Sequence, residues 1–202
     1  YYVTTNGELW AVGQGSYGQL GDGFSVDSST PVEIESTDVE RVDAGGKHAL
    51  YLKNDGSLWG VGRNTEGQLG DGSAADKSTP IEIFNSSIVD FSAGENFSLF
   101  LKDDGTVWSS GENGFGQLGD GTITARYSTV QVIGMSGNIV AVSAGDYHSL
   151  FLLDDGSVWA CGDNSSGQLG DGTNTPQSTP IQIFSSDIVE IFAGSSVSFF
   201  KK

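Results

Sequence analysis

Apolar residues along this chain come in short bursts rather than helical stripes, and the bursts recur. In the clearest stretch, His148-Ser149-Leu150-Phe151-Leu152-Leu153 is followed by Asp154-Asp155-Gly156 and then by Ser157-Val158-Trp159-Ala160-Cys161-Gly162. Two strand-length runs joined by Asp-Gly predict a β-hairpin with positive φ at the turn. The turn returns as Thr5-Asn6-Gly7, Asn54-Asp55-Gly56 and Asp103-Asp104-Gly105. A third run alternates: Val32-Glu33-Ile34, Ile81-Glu82-Ile83, Val130-Gln131-Val132 and Ile181-Gln182-Ile183 set apolar groups on one face and polar groups on the other. It follows Ser29-Thr30-Pro31, Ser78-Thr79-Pro80 and Ser178-Thr179-Pro180, with Ser128-Thr129-Val130 as the exception. A proline there marks a strand's first residue or an edge, because it cannot donate to a ladder. A fourth run, such as Ile188-Val189-Glu190-Ile191-Phe192, completes the set.

These runs keep a fixed beat. GQLGDG occurs at Gly18–Gly23, Gly67–Gly72, Gly116–Gly121 and Gly167–Gly172, in steps of 49, 49 and 51 residues. Trp10, Trp59, Trp108 and Trp159 each stand eight residues ahead of it, and Ala-Gly recurs at Ala44, Ala93, Ala144 and Ala193. A fixed period of this length is the signature of a repeat architecture. Three glycines in six residues allow backbone conformations that a Cβ forbids, and the loop's Asp can bond nearby N–H groups. Four short strands per repeat predict an all-β fold, a β-propeller of four-stranded antiparallel blades, about four of them, in one domain over residues 1–202.

The combination of AGxxHSL, the Asp-Gly hairpin, W-x-x-G-x-N-x-x-GQLGDG and STP resembles the RCC1-type repeat, in a bacterial-looking version, across essentially the whole chain. That resemblance implies a propeller that usually has seven blades. It also implies activities as different as guanine-nucleotide exchange on a small GTPase, chromatin binding and inhibition of secreted enzymes. Four repeats fall short of seven. Both termini moreover claim one strand slot, since Tyr1-Tyr2-Val3-Thr4 and Phe199-Phe200-Lys201-Lys202 each align with Leu150-Phe151-Leu152-Leu153. Three arrangements satisfy this: part of a longer propeller, which is favoured; an arc completed by other chains through Tyr1, Tyr2, Val3, Thr4, Phe199 and Phe200; or an unusually small four-bladed ring whose ends compete. The first residue is not Met and lies within a strand, as expected of a processed product or a piece of a longer chain.

The net charge of −17, from 26 acidic against 9 basic residues, opposes contact with nucleic-acid phosphates and disfavours chromatin binding. No apolar stretch approaches the roughly 20 residues of a membrane span. Cys161 is the only cysteine and reads as a small core residue beside Trp159. Richness in Gly, Ser, Thr, Asp and Asn with little Lys resembles bacterial secreted repeat proteins, so an extracellular or surface address is expected.

Candidate chemistry is thin. Gly13-Gln14-Gly15-Ser16-Tyr17-Gly18 matches G-x-G-x-x-G, but no helix follows it, and the other repeats carry Asn64, Asn113 and Asn164 at the middle glycine. It is an accident of a Gly-rich repeat. His48 and His148 share a slot that holds Phe97 and Val197 elsewhere, which points to packing. Zinc spacing is missing, and turn chemistry accounts for the Asp-Gly pairs without calcium. Asn85, Asn96 and Asn164 begin glycosylation sequons of the kind a Ser-rich chain produces by chance. No cofactor and no catalytic residue is indicated.

What varies between repeats is more informative. The loops after the Trp strand read Ser16-Tyr17, Thr65-Glu66, Gly114-Phe115 and Ser165-Ser166, and those after Ala-Gly read Gly46-Lys47, Glu95-Asn96, Asp146-Tyr147 and Ser195-Ser196. Propeller loops lie on the faces, where aromatic and charged groups anchor partners. Tyr17, Glu66, Phe115 and Tyr147 are therefore the candidates for a partner surface, and ordinary cover for neighbouring blades is the competing account. The expectation is a non-catalytic module that binds a protein. The alternatives are an array of copies joined end to end into a fibre or ring, and a regulator or inhibitor of another enzyme. A glycan stacked on Tyr17 and Tyr147 is a lesser option.

Overall fold

A computed structural model describes all residues from Tyr1 to Lys202 as seventeen strands and no helix. The first sheet holds β1 (Tyr2–Val3), β2 (Leu9–Gly13) and β3 (Ser28–Glu35). The second holds β4 (Val39–Ala44), β5 (His48–Lys53), β6 (Leu58–Gly62) and β7 (Lys77–Phe84). The third holds β8 (Ile88–Ala93), β9 (Phe97–Lys102), β10 (Val107–Gly111) and β11 (Arg126–Gln131). The fourth holds β12 (Ile139–Ala144), β13 (His148–Leu153), β14 (Val158–Gly162) and β15 (Gln177–Phe184), and a last pair is β16 (Glu190–Ala193) with β17 (Ser198–Lys201). Every pairing is antiparallel between consecutive strands, as in propeller blades. The β1 and β17 strands lie in separate sheets, so the chain forms an open arc rather than a closed four-bladed ring.

The hairpins form where Asp-Gly and Asn-Gly stand, though only the glycine has positive φ: Gly7, Gly56, Gly105 and Gly156 lie near +80°. Gly56 N bonds Lys53 O, and Lys53 N bonds Ser57 O, giving a type I turn closed by a glycine bulge. Pro31, Pro80 and Pro180 are the fourth residues of their strands, not the first, and sit beside the register shifts between Ala11/Gly13, Gly60/Gly62 and Ala160/Gly162. The shift takes the proline out of the ladder with the inner strand, which leaves a missing N–H harmless.

There is no single core. Apolar slabs lie between successive sheets: Leu50 and Leu58 meet Ile88, Phe91 and Phe100 across one boundary, and Phe97, Leu99 and Val107 meet Val142 and Phe151 across the next. Each unit thus contacts only its neighbours, as stacking repeats do. The GQLGDG loops tie the slabs together. Leu20, Leu69, Leu118 and Leu169 are buried, and Gly23 N, Gly72 N and Gly121 N donate to Ser78 O, Tyr127 O and Ser178 O on the next outer strand. A Cβ at Gly67 would stand 2.5 Å from Tyr127 Cα, so the close approach requires glycine there.

Candidate functional site

Each blade's four strands direct two kinds of loop to one side of the arc. The loops β2–β3, β6–β7, β10–β11 and β14–β15 meet there with the inner loops β4–β5, β8–β9 and β12–β13. The hairpin turns occupy the opposite side. All four candidates from the sequence, Tyr17, Glu66, Phe115 and Tyr147, lie on this loop face; Tyr17, Phe115 and Tyr147 make contacts across blade boundaries, whereas Glu66 pairs within its own loop.

At the first boundary Lys47 Nζ sits 4.7 Å from the Tyr17 ring centroid and Arg63 lies 5.7 Å away on the same ring. At the second, Arg63 reaches Glu66 at 3.7 Å and Asn96 Oδ1 at 3.3 Å. At the third, the Phe115 and Tyr147 rings meet at 5.6 Å with 59° between their planes. Tyr17 and Glu66 are thus already engaged within the chain, whereas Phe115 stays 40% exposed. Burial, then Glu112, Glu95 and Asp146, push the Tyr147 hydroxyl above its ordinary pKa.

Below the loops the polar groups are committed to structure. Asn64, Asn113 and Asn164 are fully buried, and Asn113 Nδ2 donates to Asp120 Oδ1 and Thr122 O while its Oδ1 accepts from Leu118 N. Asn164 makes the matching set, so that sequon is closed to a sugar. Burial works against the Asp71 carboxylate, but bonds from Lys77, Ser73 and Asn64 outweigh it and hold its pKa at about 2. Gly15 replaces the clamp in the first repeat. A Cβ there would meet Val26 O at 1.9 Å, which explains the literal G-x-G-x-x-G without any nucleotide.

His48 and His148 are buried between sheets, with Nε2 at 3.0 Å from Ser98 Oγ and Ser198 Oγ. Burial lowers both to a pKa of about 4. They pack, as their slot suggested, and add one polar tie per boundary. Cys161 is buried beside Gln117 O, and burial raises its thiol pKa far above the ordinary value.

A cleft of about 960 Å³ follows the inner strands β4, β8, β12 and β16. Its wall is cross-braced: Asp43 Oδ2 accepts from Ala93 N, Ser92 Oγ from Ala144 N, and Ser143 Oγ from Ala193 N. Arg41 pairs with Asp90 at 2.7 Å on this wall.

Sequence reasoning missed the apolar rim of the loop face. Phe24 and Ile123 are 65% and 68% exposed, and Val26, two residues past Phe24, is 61% exposed. A signal existed for Phe24, because the other repeats place Ser73, Thr122 or Thr173 in its slot to bond the loop Asp.

A family model described as RCC1-like domain matches residues 1–201. The chain belongs to the RCC1-like family. Within it, the chain is 41% identical over 51 residues to the human E3 ubiquitin-protein ligase HERC2, covering 25% of this chain and 1% of that protein. It is 37% identical over 62 residues to an RCC1 repeat-containing protein of Schizosaccharomyces pombe, covering 31% and 17%. Human WBSCR16 superposes with a TM-score of 0.85 at 22% identity, over 96% of this chain and 52% of that one. Prp20p of Saccharomyces cerevisiae, a structure described together with its binding to Gsp1p and histones, gives 0.84 at 22%, over 97% and 52%. This RCC1-like chain therefore spans about half the length of the solved structures it matches and far less of the curated relatives. At such identities the superpositions establish the fold alone.

Proposed function

We propose that this chain is a non-catalytic protein-binding module, part of an extracellular or surface protein, and that the loop face is its binding surface. One observation carries the reading. The variable loops after the Trp strand and after Ala-Gly gather on one side of a frame whose polar groups are mostly bonded to each other. A rigid scaffold with variable loops is how repeat folds present partners with a surface. Prp20p, described with its binding to Gsp1p and histones, supports a protein partner for this fold. The net charge of −17 argues against nucleic acid. The test is affinity capture from the source organism. The partner should be lost with the loop-face variant Y17A/F115A and kept with the turn-face variant N85A; loss with N85A alone would place the site on the other side.

A second reading, assembly of copies end to end, has its own observation. A Cβ at Gly18 or Gly116 would meet Ser78 Cα at 2.6 Å or Ser178 Cα at 2.4 Å, whereas Gly167 and Gly172 meet nothing within 4 Å. The fourth loop is thus shaped for a Ser-Thr-Pro outer strand like β3 of another copy. Light scattering of the 202-residue chain over a dilution series tests it. A mass of about 21 kDa throughout would end this reading.

A further inference from the structure

The third blade boundary differs from the first by an inversion of charge at matching positions. Around Tyr17, two slots of the following repeat supply Lys47 and Arg63, and both cations lie on its ring. Around Phe115 the same two slots supply Tyr147 and Asp163. Backbone bonds gather acidic residues around it: Asp163 N donates to Tyr147 O at 2.8 Å, Glu95 N to Asp146 O at 3.4 Å and Glu112 N to Asn96 O at 2.9 Å. None of Glu95, Glu112, Asp146 and Asp163 is within salt-bridge distance of a basic group, although six pairs form elsewhere. Their bonds come from neutral donors: Asn96 to Glu112, Ser195 to Asp146, and Gln168 to Asp163.

The loop beneath shows the same unfilled state. In the fourth repeat Gln168 Nε2 donates to Asp163 Oδ2 at 2.7 Å. In the third, Gln117 Oε1 accepts from Phe115 N at 3.0 Å while its buried Nε2 has no partner, as Gln68 Nε2 has none in the second, and Glu112, in the slot matching Asp163, accepts from Asn96 instead.

Resting on the loop-face reading above, we propose that Phe115 and Tyr147 form the platform for an arginine side chain of the protein partner, with Glu112, Glu95 and Asp146 as its counter-charges. A guanidinium stacks on aromatic faces and bonds carboxylates in a planar fork, so it satisfies both features where a bare ammonium satisfies chiefly one. The first boundary shows the filled form, with the chain's own cations on Tyr17.

The experiment uses a Gly-spaced peptide with two arginines, its citrulline counterpart and its lysine counterpart, titrated into the 202-residue chain by NMR. Arginine peptide should shift the Phe115 and Tyr147 signals and bind at least ~10-fold more tightly than citrulline peptide, with lysine between them. F115A and, separately, the near-isosteric E112Q/D146N should each lose that preference while melting like the parent. Equal binding of arginine and citrulline peptides, an unchanged preference in E112Q/D146N, or shifts centred elsewhere would overturn the proposal. A captured partner that needs Tyr17 and Phe115 but ignores E112Q/D146N would overturn only this inference, whereas one that maps to the turn face would remove the loop-face reading too.

Discussion

His48 Nε2 lies 3.0 Å from Ser98 Oγ, across the boundary between the second and third sheets. Ser98 Oγ already donates to Gln68 O at 2.7 Å, so its hydroxyl can only accept from the histidine. The proton must therefore sit on Nε2, leaving Nδ1 a buried acceptor without a partner. His148 and Ser198 repeat the arrangement, with Ser198 Oγ donating to Gln168 O.

The first prediction follows from that tautomer. Burial depresses both histidines to a pKa of about 4, against about 6.5 unfolded. Between those values the unfolded chain binds more protons, so stability is complete above pH 6.5 and falls as pH drops toward 4. At pH 5 the loss should be roughly 2 kcal/mol per histidine relative to pH 7.5. Urea melts at the two pH values measure it. H48F/H148F, which copies Phe97 in the same slot, should flatten the difference between them.

The buried Asn clamp predicts a graded cost. N113A removes an acceptor from Leu118 N and donors from Asp120 and Thr122 in a fully buried site, and should destabilise by about 2 to 4 kcal/mol. The reverse change, G15N, should not stabilise, because its Cβ would meet Val26 O at 1.9 Å. Thermal melts of the two single variants decide both statements.

Much of this was legible in the chain and some was not. Strands around Trp159 could be read because alternation, Asp-Gly turns and a fixed repeat all point to one structure. The GQLGDG glycines could be read as conformational, and twelve positive φ values agree. Pro80 misled, because a register shift inside an edge strand leaves no mark in the sequence. The pairing of Phe115 with Tyr147 was equally hidden: each was visible as a loop residue, but only the stacking of one blade on the next brings positions 32 apart into ring contact. The acidic surroundings of that pair depend on three separate loops.

Glycines in matching positions should respond differently. Gly116 and Gly167 have φ of +84° and +76°, so alanine strains both backbones, at about 1 kcal/mol or more. Only at Gly116 does the new Cβ also meet Ser178 Cα, at 2.4 Å. G116A should thus cost at least ~2 kcal/mol more than G167A in chemical melts. If copies join through the fourth loop, G167A should also dissociate them while leaving the fold intact, which light scattering detects.

The last prediction concerns a missing donor. In the second, third and fourth loops, the Gln68, Gln117 and Gln168 carbonyls accept from Ser98, Ser149 and Ser198 on the following blade. The first loop faces Ala49 instead, and Val61 where Ser110 and Cys161 supply further donors, so Gln19 O would be left unsatisfied. Tyr1 Oη fills the gap at 2.6 Å, and burial raises its pKa to about 12. Y1F should therefore cost about 1 kcal/mol. A49S puts a hydroxyl in the slot the other blades use, and should recover most of that loss in the Y1F background while adding little on its own. A double-mutant cycle by urea melts gives the coupling; additive effects would mean that Tyr1 and the Ala49 slot do not serve the same carbonyl.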